Sequence, residues 1–130
     1  MSHPGYGFGR TVATGHAEVV ARVREALKQE GFGVITEIDV AATMKEKLDR
    51  DVAPYVILGA CNPGYARQVL EADPELGLFL PCNVIVYETA DGTRVSAVDP
   101  EAMLGLSGNQ DLAGIAVEVK ARLQRAIERF

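Results

Sequence analysis

The chain has 130 residues, of which 48% are hydrophobic and 24% charged, and its formal net charge is −5 at pH 7. This composition is typical of one globular domain with its own core and excludes a largely disordered chain. The acidic balance disfavours binding to nucleic acid or to an anionic membrane surface, because phosphate groups repel a negative protein. We therefore expect a single domain over residues 1–130, of which residues 1–5 form a flexible extension.

The first half of the chain alternates strand and helix patterns. Residues 6–14 alternate large and small side chains, which predicts a strand. Apolar residues then recur at spacings of three and four through 16–30 and predict an amphipathic helix. Period-two alternation over 32–40 indicates a second strand, and residues 42–50 predict a short helix.

A central strand and a capped helix follow. Residues 54–61, "PYVILGAC", are apolar on both faces, as in a strand that is buried on both sides. Asn62 is expected to cap the next helix, with Pro63 at the first helical position, where a missing N–H costs nothing. We expect this helix to run to about Ala72.

The last third of the chain predicts a hairpin and a long helix. Residues 77–89 and 93–100 have strand patterns, and the Asp-Gly pair between them is a strong hairpin signal. This order of elements predicts an α+β fold, with helices packed on one face of a largely antiparallel sheet. The stripe of the C-terminal helix comprises Leu112, Ile115, Ala116, Val119, Leu123, Ala126, Ile127 and Phe130, with Asn109 as its expected cap.

The two cysteines, Cys61 and Cys82, have the most potential for chemistry, and each is followed by an asparagine, Asn62 or Asn83. Two thiolates need two further ligands to hold a metal, and no Cys-x-x-Cys pair is present, so we expect no metal and no cofactor. A thiolate at Cys61 would be stabilised by the helix that begins after it, as in thiol enzymes and redox sensors. The alternative, which the residue type favours, is that both cysteines are small hydrophobic core residues.

One histidine, His16, is expected near the start of the first helix, on its apolar side. Its functional interpretation is a general base or a ligand-binding group that reaches into a pocket. The alternative, which we favour, is a partly buried histidine with a local hydrogen bond.

Sequence features favour a cytoplasmic protein. Residues 1–15 lack the basic and apolar segments of a secretory signal. The most apolar stretch, residues 76–87, is too short to span a bilayer. Two cysteines without an export signal are expected to stay reduced.

Four motifs follow one another along the chain: "TEID" (36–39), "LGACNP" (58–63), "LPCNV" (80–84) and "DPEAM" (99–103). In this series the chain resembles the family catalogued as domain of unknown function 302, from about Tyr6 to the C-terminal helix. The resemblance implies a fold like that of the TATA-binding protein, in which helices grip a curved antiparallel sheet. It also implies a homodimer, and it supplies no catalytic residues.

From these features we expect a small soluble binding module with a pocket between sheet and helices that takes a small-molecule ligand. The candidate ligand-binding residues are Cys61, Asn62, Cys82, Asn83 and His16, and Cys61 is the one catalytic candidate. A thiol-dependent enzyme or redox sensor acting through Cys61 is the first alternative. The second is a structural homodimer without a ligand.

Overall fold

The structure, a computed structural model, describes residues 5–130, so most of the expected N-terminal extension lies outside the described residues. Within that range the strands are β1 (Gly7–Val12), β2 (Gly33–Asp39), β3 (Tyr55–Cys61), β4 (Cys82–Thr89) and β5 (Gly92–Val98). The α-helices are α1 (His16–Gln29), α2 (Val40–Leu48), α3 (Pro63–Ala72), α4 (Pro100–Gly105) and α5 (Ala113–Glu128). Two short 3₁₀ helices span Pro74–Phe79 and Gln110–Leu112.

The strands form one sheet in the order β1-β5-β4-β3-β2, and every neighbouring pair is antiparallel. The α+β class, the antiparallel sheet and the long C-terminal helix are therefore confirmed. The expected likeness to the TATA-binding protein stays a prediction.

One face of the sheet packs against α1 and α5 and forms the main hydrophobic cluster. Successive strand residues point to opposite faces, so every second side chain of β3 and β4 is buried here. The stripes of the two helices close the layer, and burial of these side chains supplies much of the stability. The cluster includes Val19, Val23 and Leu27 from α1, Leu58 and Val84 from the sheet, and Val119, Leu123 and Ile127 from α5.

The second face of the sheet carries a row of isoleucines. Ile38 pairs with Ile57 across β2 and β3, and Ile57 pairs with Ile85 across β3 and β4. Directly paired residues share a face, so the three side chains form a continuous apolar row. Beside the row, the rings of Tyr55 and Tyr87 stack with their centroids 5.1 Å apart.

Two predicted boundaries are wrong. The strand expected from residue 77 begins only at Cys82, because Asp73 starts a 3₁₀ helix by accepting a hydrogen bond from the Glu75 amide, and Pro81 has no N–H for the ladder. Asn109 caps the short 3₁₀ helix before α5, where its side chain accepts from the Asp111 amide, rather than α5 itself. In both places a capped 3₁₀ turn occupies residues that the apolar pattern had assigned to the longer element.

A buried glutamate fastens the end of α1 to α5. The Glu30 side chain is 8% exposed and accepts a hydrogen bond from Arg125 Nε at 3.0 Å and another from Arg129. Burial raises the pKa of Glu30, but the two arginines outweigh it through hydrogen bonds and charge and hold the pKa below its usual value. Glu30 is therefore an ionised link between the two helices.

Candidate functional site

A cavity of about 340 Å³ lies between α3, α4, α5 and the adjoining ends of β3 and β4. We call it the main cavity. Its volume falls in the range of small-molecule pockets in proteins. The exposed side chains of Ile35 and Leu70 stand at its rim, so it opens to solvent. Most of its lining is apolar and includes Phe32, Val69, Phe79, Leu104, Ile115 and Val119.

The main cavity is a gap between two hydrophobic clusters. Phe32, Ala60 and Val119 belong to the main cluster beneath the sheet. Val69 and Leu104 belong to a second cluster that α3, α4 and the start of α5 build beside it. The chain therefore builds two cores that do not merge completely, and the cavity occupies the space between them.

Both cysteines line the main cavity, as free thiols. Cys61 ends β3 and is half-buried, whereas Cys82 begins β4, opposite Ala60, and is 8% exposed. Burial first, and the neighbouring Cys61 second, raise the pKa of the Cys82 thiol to about 11. Cys82 is consequently a neutral, apolar wall of the cavity at physiological pH.

Asn62 lies at the rim of the main cavity, at the position that precedes α3. Its backbone carbonyl accepts the first helical hydrogen bond, from the Ala66 amide at 2.9 Å. The expected side-chain cap is absent, and within residues 5–130 the Asn62 amide group makes no hydrogen bond. The position was predicted correctly and the capping role was wrong, which leaves this amide free for another partner.

Tyr65 completes this side of the rim, and Arg122 lies against Tyr65 outside the cavity lining. Tyr65 lines the cavity, and the Arg122 guanidinium lies over its ring, 5.7 Å from the centroid. Interaction with Tyr65 and, to a smaller extent, with Glu118 raises the pKa of Arg122 further above its usual value. Arg122 is therefore a permanent cation close to the free amide of Asn62.

The structure brings Cys61, Asn62 and Cys82 together and separates them from the other two candidates. Asn83 lines a shallow depression on the second face of the sheet, away from the main cavity. His16 Nε2 lies 2.9 Å from the Val86 carbonyl oxygen, so the ring donates a hydrogen bond to the sheet beneath α1. His16 is thus partly buried and hydrogen-bonded, as its alternative interpretation expected, but its partner is 70 residues away rather than local, and it does not line the main cavity.

Residues 5–130 contain no cluster of three or more His, Cys, Asp or Glu side chains that would hold a metal ion. In the same part of the chain, no helix combines the length and the apolar character that crossing a membrane requires.

Comparison with known proteins agrees with the motif series in the sequence. A family model described as a domain of unknown function, DUF302, matches residues 8–130. The chain belongs to the DUF302 family. The crystal structure of an uncharacterized conserved DUF302 protein from Bacillus stearothermophilus is 34% identical, covers 97% of this chain and 98% of its own, and superposes with a TM-score of 0.90. A search of curated proteins gave no match.

The DUF302 match thus supports the fold, and the cavity supplies the functional evidence. Sequence reasoning found the thiols and Asn62 but missed most of the wall of the cavity. The apolar residues of the wall have the same periodic pattern as residues of a packed core, as at Val69, Leu104 and Ile115. The sequence therefore does not indicate that a cavity lies between them.

Proposed function

We propose that this DUF302 protein is a small-molecule binding module and that the main cavity holds a ligand with an apolar body. The observation that carries the proposal is the chemistry of the lining: no charged side chain of the described residues lines the cavity. Protein interiors are close-packed, and apolar surface held open to water is unfavourable. A cavity of this size between two clusters is therefore best stabilised by an apolar occupant.

Binding of 1-octanol, measured by isothermal titration calorimetry, tests the proposal. Ala66 lies in α3 and lines the cavity, so Ala66→Phe places a ring in the space for the ligand. Ala72 ends the same helix, is exposed and does not line the cavity, so Ala72→Phe is the matched control. We expect saturable binding to the wild type and to Ala72→Phe, and a loss of at least tenfold in Ala66→Phe.

Binding that is absent from the wild type, or equal in both folded variants, would contradict the proposal. Circular dichroism shows whether each variant is folded. If Ala66→Phe does not fold, Met103→Trp fills the same cavity from α4, where Met103 is only partly buried.

A second candidate function, a thiol-dependent reaction at Cys61, is favoured by one observation. The half-buried Cys61 lines the main cavity directly before α3, where a bound substrate would meet it. A thiolate that is stabilised by the start of a helix reacts with iodoacetamide at pH values well below about 8.5, the usual pKa of a thiol. A rate at Cys61 that follows the ordinary thiol profile would contradict this candidate.

We also propose that the protein is a homodimer that associates through the isoleucine row of the second sheet face. Ile38 is 50% exposed, and such contiguous apolar rows are typical of interfaces. Light scattering after gel filtration should give a dimer for the wild type and a monomer for Ile38→Lys. Val117 on α5 is 53% exposed, and Val117→Lys is the control that should remain dimeric. A monomeric wild type would contradict the proposal.

The proposed location is the cytoplasm. The two free thiols of Cys61 and Cys82 support this proposal, since reducing compartments preserve thiols. Localisation of the protein in cell fractions outside the cytoplasm would contradict it.

A further inference from the structure

We propose that the ligand of the main cavity carries a small anionic head group, such as a carboxylate, on its apolar chain, and that Asn62 and Arg122 bind this head group at the rim. The inference rests on the proposed binding function and adds the chemical class of the ligand. It does not involve the second face of the sheet.

The two polar groups both lie beside Gly31. An ideal Cβ atom built on Gly31 would lie 3.0 Å from Asn62 Nδ2 and 3.9 Å from Arg122 Nη1. Gly31 has no side chain, so residue 31 places no side-chain atom between the amide and the guanidinium. A carboxylate that reaches both groups from the solvent side would accept hydrogen bonds from each of them.

Both groups have N–H donors to spare. The Asn62 amide makes no hydrogen bond within the described residues. Arg122 donates from Nε to Glu118 at 3.2 Å and from Nη1 to the Glu30 carbonyl oxygen at 3.2 Å, and it also interacts with Tyr65. A guanidinium has five N–H donors in a fixed fork that matches a carboxylate, so donors remain for a ligand.

The head-group site is continuous with the apolar wall. Ile115, Val119 and Arg122 are spaced by four and three residues along α5, and residues at these spacings lie on one face of a helix. Ile115 and Val119 line the cavity, and Arg122 follows them over the ring of Tyr65, which also lines the cavity. A linear molecule that lies along α5 would place its apolar chain against Ile115 and Val119 and its head group beside Arg122.

The same residues also indicate that the head group of the ligand is negatively charged. Asn62 offers N–H donors at the rim and Arg122 offers them beside Tyr65, and the positive charge of Arg122 disfavours a cationic head group. Glu118 is the acidic partner of Arg122, and its side chain is 48% exposed. An incoming carboxylate therefore competes only with a partly solvated ion pair, and such pairs contribute little.

The experiment compares octanoate with 1-octanol, which share the apolar chain and differ in the head group. Arg122→Gln removes the proposed cation. Arg22→Gln is the matched control, because Arg22 also pairs with a glutamate four residues away, Glu18, on the surface of another helix. We expect Arg122→Gln to weaken octanoate by about fivefold and to leave 1-octanol unchanged, since one partly exposed charge interaction is lost.

A second pair of variants tests the amide. Asn62→Ala should weaken octanoate but not 1-octanol, whereas Asn83→Ala, on the second face of the sheet, should change neither. Equal losses for both ligands, or none for octanoate, would overturn the head-group inference while the cavity proposal stands. If neither ligand binds the wild type, the proposed function itself fails.

Discussion

Replacement of Glu30 by glutamine tests the link between α1 and α5. The substitution keeps the shape of the side chain but removes the charge that Arg125 and Arg129 pair with. Hydrogen bonds to a buried charge contribute about 1.5–3 kcal/mol each. The arginine side chains are about half exposed, and solvent screening reduces this contribution. We therefore expect a loss of about 2 kcal/mol from the free energy of unfolding, which for a chain of this length lowers Tm by roughly 7 °C.

The pH dependence of urea unfolding provides the decisive assay. The pKa of Glu30 in the folded state is below its usual value of 4.5, so the unfolded state binds more protons in acid. The stabilisation by Glu30 is therefore complete above pH 4.5 and is lost as the pH falls through the lower folded pKa. Glu30→Gln should reduce the free energy of unfolding at pH 7 and weaken its dependence on pH in acid. The control Glu18→Gln, at an exposed position, should change neither quantity much. A Glu30→Gln variant as stable as the wild type at pH 7 would refute the reasoning.

Two further predictions follow from the same structure. In the folded protein the rate of Cys82 alkylation should rise only as the pH approaches its pKa of about 11. The half-buried Cys61 should therefore be modified first at pH 8. Equal rates for the two cysteines, measured by mass spectrometry, would contradict the burial of Cys82. Gly92 has a φ of +135° and a Cβ built on it would lie 2.2 Å from the Val12 carbonyl oxygen, so Gly92→Ala should cost more than about 2 kcal/mol in urea unfolding. The control Gly114→Ala, in α5 with open space around it, should gain about 0.5–1 kcal/mol, and a Gly92 variant of unchanged stability would contradict the close approach.

The sequence predicted the elements with a strong local period but missed the two short 3₁₀ helices, which depend on local caps. The stripe of α5 and the strand at residues 55–61 were predicted because burial on one or both faces imposes a period on many residues. The turns after Asp73 and Asn109 depend on single side-chain hydrogen bonds to nearby amides. Such bonds leave no periodic signal.

The candidate site was predicted in part for a similar reason. Cys61 and Asn62 stand out because polar or reactive residues are uncommon inside an apolar run. Val69 and Ile115 look like ordinary core residues, since a helix presents the same stripe to a packed core and to a cavity. Arg122 comes close to Asn62 only in the folded chain, where it donates to the Glu30 carbonyl oxygen next to Gly31, and no local pattern reports this contact.

The most direct test of the binding function is methyl NMR of the folded protein during titration with 1-octanol. We expect saturable shifts for methyl groups of the cavity wall, Val69, Leu104 and Ile115, and none for the exposed Leu48 and Val117 outside the cavity. Shifts spread evenly over exposed methyl groups, or no saturable shift in the wall, would contradict the claim that the main cavity is a ligand site.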